Sequence, residues 1–251
     1  MLKFNRAIPA QDLRLLVFDL DGTLIDSRRD LANCVNAMLR HLKRPELPED
    51  VIGSYVGDGA PMLVRRSLGD PDDDALFRTA LEYFLDYYRE HKLDHTHVYQ
   101  GIPDALASIR DSRNGGPGSQ HILAILTNKP VVPARAIVQA LGIHEFFTQI
   151  YGGNSFPTKK PDPLGIRTLI REFHVLPHQT LVIGDSDIDI LTGRSVGAWT
   201  CGVRYGFDPS RLENAPPDVL VDRPEDLPLI LAPASAAETT VGADSIRNIV
   251  S

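Results

Sequence analysis

Cysteine is scarce in this 251-residue chain: only Cys34 and Cys201, far apart, so a disulfide framework is excluded. Long apolar runs are missing too, none approaching the ~18 residues of a membrane span. Met1 to Gln11 lacks the basic end, apolar stretch and small-residue cleavage site of a secretory signal. These absences predict a soluble protein of the reducing cytoplasm. Basic charge is short as well, since 26 Lys and Arg face 33 Asp and Glu and leave a formal net charge of −7. Binding a polyanion relies on clustered cations, so no broad nucleic-acid surface and no membrane partner is expected. A small phosphorylated metabolite needs only one or two local cations and remains compatible.

The length suffices for one α/β core with a smaller accessory unit. Three apolar runs, Leu15 to Phe18, Ile122 to Leu126 and Leu181 to Ile183, read as strands buried on both faces of a parallel sheet. Shorter strands are expected around Thr148 to Tyr151 and Trp199 to Val203. Helical patterns at Ala134 to Leu141, Pro163 to Phe173 (capped by Asp162) and Ile188 to Val196 alternate with them. Strand and helix in alternation predict a doubly wound parallel sheet.

The segment 27–97 breaks the rhythm and reads as an inserted helical domain. Leu31, Val35, Met38 and Leu42 recur at helical spacing, as do Leu76, Ala80, Leu81, Phe84 and Tyr88. Both stripes read as packing faces. The expected organisation is a catalytic core of residues 1–26 and 98–232, a helical cap of 27–97 and a weakly ordered tail of 233–251. Asn114 to Ser119 reads as a loop without chemistry.

Each of the three runs leads into polar residues: Asp19 and Asp21, Thr127 and Asn128, and Gly184 with Asp185. Open α/β sheets bind ligands at these carboxyl ends. Asp19 is placed to attack phosphorus and form an aspartyl-phosphate, while Asp21, two residues on, can protonate the leaving oxygen and then activate water. A carboxylate approaching a phosphate meets like charge, so cations are needed. Asp19, Asp21 and Asp185 offer the oxygen ligands that Mg²⁺ prefers. Lys160 can supply a second cation, and Thr127 and Asn128 can cradle phosphate oxygens.

Asp19-Leu20-Asp21-Gly22-Thr23-Leu24, Thr127-Asn128, Lys160 and Gly184-Asp185-Ser186-Asp187-Ile188-Asp189 resemble the four ordered motifs of the haloacid dehalogenase superfamily. The resemblance spans about residues 13–230 and implies a Rossmann-like core whose α-helical cap selects the substrate. Val56-Gly57-Asp58-Gly59-Ala60, Thr127-Asn128-Lys129-Pro130, Lys159-Lys160-Pro161-Asp162-Pro163 and Arg204-Tyr205-Gly206 look like the phosphoglycolate phosphatases within it. This likeness implies Asp19 as nucleophile and Asp21 as acid and base. Mg²⁺ would sit between Asp19, the Asp21 main-chain carbonyl and Asp185, with Lys160 steadying nucleophile and phosphate. Gly57, Asp58 and Gly59 are candidates for substrate selection. Ile188 departs from the subfamily, which usually has Asn there, and removes one support behind the metal site, although Asp189 is kept.

Plainer readings have their place. Asp185, Asp187 and Asp189 imitate a calcium loop, but Ile190 and Val196 occupy the positions that need Gly and an acid. His91, His95 and His97 read as a polar hinge leaving the cap rather than a metal site, the cysteines as packed thiols, and Lys159 as a solvated lysine. Arg65 and Arg66 are compatible with either the site or solvent. The leading expectation is a phosphatase acting on a small anionic metabolite, most plausibly 2-phosphoglycolate, as a monomer or homodimer. A phosphomutase would pass the same phosphoryl group to a sugar. A carbon–halogen hydrolase has no need of Asp21, and a binding protein has no need of the full set. The cap is expected to swing about linkers near Asp26 and Tyr99-Gln100-Gly101.

Overall fold

Alternate residues of Leu15 to Phe18 enter different cores: Leu16 and Phe18 pack on one side of the sheet, Leu15 and Val17 on the other. Both faces are covered, which is why the run shows no polar alternation. The structure is a computed structural model that describes residues 1–112 and 120–232. The glycine-rich loop and the tail from 233 lie outside these. In chain order the described strands are β1 (Leu2–Phe4), β2 (Leu15–Phe18), β3 (Ile25–Asp26), β4 (His97–Val98), β5 (Ile122–Leu126), β6 (Gln149–Tyr151), β7 (Thr180–Gly184), β8 (Trp199–Val203) and β9 (Val219–Val221).

Seven strands form one sheet in the order β1-β9-β8-β7-β2-β5-β6, parallel throughout except that β1 joins β9 antiparallel. The parallel α/β fold expected from the sequence is therefore present, with one antiparallel edge added. β2 lies centrally between β7 and β5, so Asp19, Asp185 and Thr127 leave neighbouring strand ends.

Four helices, α1 (Arg28–His41), α2 (Glu49–Ser54), α3 (Ala60–Ser67) and α4 (Asp74–His91), fill the stretch between β3 and β4. Val35 and Met38 of α1 and Ala80 and Phe84 of α4 are buried along the predicted stripes. Asp73 caps α4 by accepting the amides of Ala75 and Leu76, both at 2.9 Å. The two linkers pair with each other, Ile25 with Val98 and Asp26 with His97. Buried Asp30 reinforces them by accepting the amides of His95 and Thr96 and the Thr96 hydroxyl. His91 meets Asp94 at 2.8 Å, and the His97 ring lies 3.0 Å from the His95 carbonyl.

The rest of the core carries α5 (Ile102–Asp111), α6 (Val131–Ala140), α7 (Leu164–Glu172), α8 (Asp187–Arg194) and α9 (Arg211–Asn214). Helix α6 starts three residues before the expected Ala134, because Pro133 falls in its first turn, where a missing N–H costs no helical bond. Asp162 accepts the Leu164 amide at 2.9 Å at the start of α7. No helix among the described residues is long and apolar enough to cross a membrane.

Candidate functional site

Beyond β2 the chain turns at Gly22 with φ +81, a conformation that favours glycine. A Cβ there would lie 2.1 Å from an Asp185 carboxylate oxygen, so the turn also lets two acidic segments meet. Gly184 acts similarly at the end of β7, where a Cβ would collide with Asp189. Asp19, Asp185 and Asp189 come together, each offering a carboxylate oxygen within 4.8 Å of the others, and all three are buried.

Lys160 is the cation among them. Its Nζ donates to Asp189 at 2.6 Å and stands 2.9 Å from Asp19 Oδ1. The second contact is an ion pair outside hydrogen-bonding geometry, so this buried Asp19 oxygen has a charge partner but no hydrogen bond. Burial alone would push Lys160 down; Asp189 and Asp19 outweigh it and hold the ammonium above its ordinary value. Asp189 is further held by the Ser186 amide and hydroxyl at 3.2 and 2.7 Å. Its acceptors are thus served without any help from position 188, and Ile188 is simply buried.

Three carboxylates against one ammonium leave an imbalance of negative charge. Burial first, then Asp189 and Asp19, push Asp185 up to about 8. Burial likewise raises Asp19 to about 6 against the pull of Lys160. Converging hard oxygens, one without a hydrogen bond, fit a divalent cation such as Mg²⁺. In the chelated protein both acids bind protons more tightly folded than unfolded, so stability should fall as pH rises from about 4 towards 8. The expected drop in Tm between pH 5 and 8 is on the order of 5 °C or more. Excess Mg²⁺ should largely abolish it, and a chelated Tm that rises over this range would contradict the assignment.

Asp21 turns away from this triad. Its carboxylate accepts from Ser27 Oγ at 2.5 Å and meets Lys129 Nζ at 2.8 Å through both oxygens. Lys129 is buried, and although desolvation opposes its charge, Asp21 and then Tyr88 raise it above its ordinary value. The sequence reading gave Lys129 no role, since its partner lies 108 residues away. Thr127 and Asn128 sit buried at the end of β5; Thr127 Oγ accepts the Lys129 amide, and Asn128 Nδ2 donates to the carbonyls of Gly57 and Lys160 at 2.9 and 3.0 Å.

The cap loop is gripped at three successive carbonyls. Arg211 donates to Val56 at 2.8 Å, Asn128 to Gly57, and Lys159 to Asp58. Lys159 is exposed, yet it is a cap contact rather than an idle surface lysine. Arg211 also pairs with Asp187 at 2.8 Å, which keeps Asp187 out of the acidic triad. The Asp58 carboxylate pairs with Arg66 at 2.6 Å, and Arg65 lies over the Phe77 ring, so both arginines serve the cap. A cavity of about 60 Å³ remains between cap and core, bordered by Asp19, Asp21, Gly57, Gly59, Thr127 and Asn128.

A parallel sheet with acids and a buried lysine at its carboxyl end, roofed by a helical cap, defines a capped α/β enzyme. The family model described as haloacid dehalogenase-like hydrolase matches residues 16–203. Phosphoglycolate phosphatase of Pseudomonas putida is 38% identical over 229 residues, covering 88% of this chain and 81% of that protein. The protein of the same name from Chromobacterium violaceum is 37% identical over 199 residues, covering 78% and 86%. A crystal structure described as a predicted phosphoglycolate phosphatase from Haemophilus somnus superposes with TM-score 0.79 at 29% identity, covering 88% of this chain and 99% of that one. The chain belongs to the haloacid dehalogenase-like hydrolases.

Proposed function

We propose that the enzyme is a Mg²⁺-dependent phosphatase that hydrolyses a small phosphate monoester, 2-phosphoglycolate above others, through an aspartyl-phosphate on Asp19. The observation that carries this reading is the convergence of Asp19, Lys160, Asp185 and Asp189, with Asp19 and Asp21 bordering a capped cavity. The names of the relatives support the substrate class.

In the proposed reaction an Asp19 oxygen attacks phosphorus and the ester P–O bond breaks. Asp21 gives the leaving oxygen its proton. Water then attacks the aspartyl-phosphate, Asp21 takes up the proton, and phosphate leaves with Asp19 restored. Lys160 offsets the charge between nucleophile and phosphoryl group, and Asp189 holds Lys160 in place. Ser27 and Lys129 orient the Asp21 carboxylate. Thr127 would face the phosphate oxygens, while Asn128, both of whose side-chain N–H groups go to the Gly57 and Lys160 carbonyls, holds the Gly57-Asp58-Gly59 loop closed above the site. Asp19 and Asp185, with the Asp21 main-chain carbonyl, would hold Mg²⁺, whose charge supplies electrostatic stabilisation of the transferring group.

Phosphate release from 2-phosphoglycolate, measured beside a panel of sugar phosphates and nucleotides, tests the reading. The expected result is at least a tenfold preference in kcat/KM for 2-phosphoglycolate and loss of turnover on chelation. Isomerised sugar phosphate without free phosphate would point to a mutase instead. Equal rates across the panel would remove the substrate assignment.

A further inference from the structure

One polar group in the cavity is left over once phosphoryl transfer has been accounted for. Tyr88 of α4 is 6% exposed, borders the cavity, and its hydroxyl makes no hydrogen bond among the described residues. The Lys129 ammonium stands beside it, 5.1 Å from the centre of the Tyr88 ring. An ammonium can only donate, so whatever its approach, the phenol proton has no acceptor. Lys129 gives two hydrogen bonds to Asp21 and lies against Tyr88, so what it brings to the phenol is positive charge.

The surrounding wall comes from Leu31, Val56, Leu63 and Phe84, whose side chains offer no hydrogen bonds. Arg65 and Arg66 are engaged elsewhere in the cap. Arg66 is committed to Asp58 and the Tyr55 carbonyl, and Arg65 to the Pro71 carbonyl. A buried donor without an acceptor costs free energy, and a phenol donor beside an ammonium in apolar surroundings suits an anionic oxygen.

We propose that Tyr88 and Lys129 together read a carboxylate on the leaving group of the substrate, so that the site selects monoesters whose leaving group is anionic. This inference rests on the phosphatase reading above and names the residues that decide its substrate.

Ethyl phosphate is the control substrate, since it replaces the carboxylate of 2-phosphoglycolate with a methyl group. Tyr88→Phe should lower the ratio of kcat/KM for 2-phosphoglycolate over ethyl phosphate by roughly tenfold or more. Equal losses on both esters, leaving the ratio where it was, would overturn the proposal. Calorimetry with two ligands that cannot be hydrolysed, 3-phosphonopropionate and propylphosphonate, supplies an independent arm in the presence of Mg²⁺. The wild type should bind the carboxylate ligand at least about tenfold more tightly, and Tyr88→Phe should lose most of that difference. Absence of any preference in the wild type would also overturn the proposal, and this arm decides alone should the variant not fold. A binding preference without phosphate release from either ester would sink the phosphatase reading and leave the carboxylate site standing.

Discussion

Asp19→Asn is expected to lower kcat by roughly 10⁴-fold or more while leaving the protein folded. The amide is nearly isosteric but cannot accept the phosphoryl group as the carboxylate does. Stability should move the other way. Burial already holds Asp19 up at about 6, so its charge is unfavourable inside the fold. Removing that charge should raise the Tm of the chelated protein at pH 8. Acid-quenched reactions with labelled substrate should show phosphoprotein in the wild type and none in the variant. Full activity in Asp19→Asn would end the covalent mechanism, whereas lost activity with a collapsed Tm would reduce Asp19 to a structural residue.

Lys160→Met should have the second largest effect, and on both properties. The side chain is 3% exposed and neutralises Asp19 and Asp189 at 2.9 and 2.6 Å. Breaking a buried pair from one side strands the remaining charge and typically costs ~3–5 kcal/mol. For a domain of this size that corresponds to a fall in Tm of about 10 °C. Turnover should fall by a further ~10²–10³-fold in the surviving folded protein. Because the deficit is unpaired carboxylate, the variant should regain part of its stability as pH is lowered. An unchanged Tm across pH 5 to 8 would contradict the ion-pair account.

The strands that position these residues were legible because burial on both faces leaves an unbroken apolar run, as in Ile122 to Leu126. Asp19, Asp185, Thr127 and Asn128 were legible because each follows such a run directly. β1 was not, since three residues at an antiparallel edge, with Phe4 46% exposed, leave too short a pattern. The contacts of Lys129 and Arg211 were invisible for another reason. Their partners, Asp21 and the Val56 carbonyl, lie 108 and 155 residues away, and no local period encodes an ion pair or a hydrogen bond to a backbone oxygen. Asp30 received no role for the same reason, since the Thr96 amide and hydroxyl it accepts lie 66 residues away.

Were the cap to swing as the sequence suggests, the grip of Arg211, Asn128 and Lys159 on three successive cap carbonyls would set the balance between shut and open populations. Three hydrogen bonds at ~0.5–1.5 kcal/mol each, with exposed Lys159 at the low end, favour the shut form by about 2 kcal/mol, or some thirtyfold. With substrate entering while the cap is open, the grip, common to the shut enzyme with and without substrate, would set how often substrate can enter rather than how tightly it is held. A weaker grip would admit substrate more readily and water with it. The association rate would therefore carry a contribution from three hydrogen bonds that take no part in the chemistry.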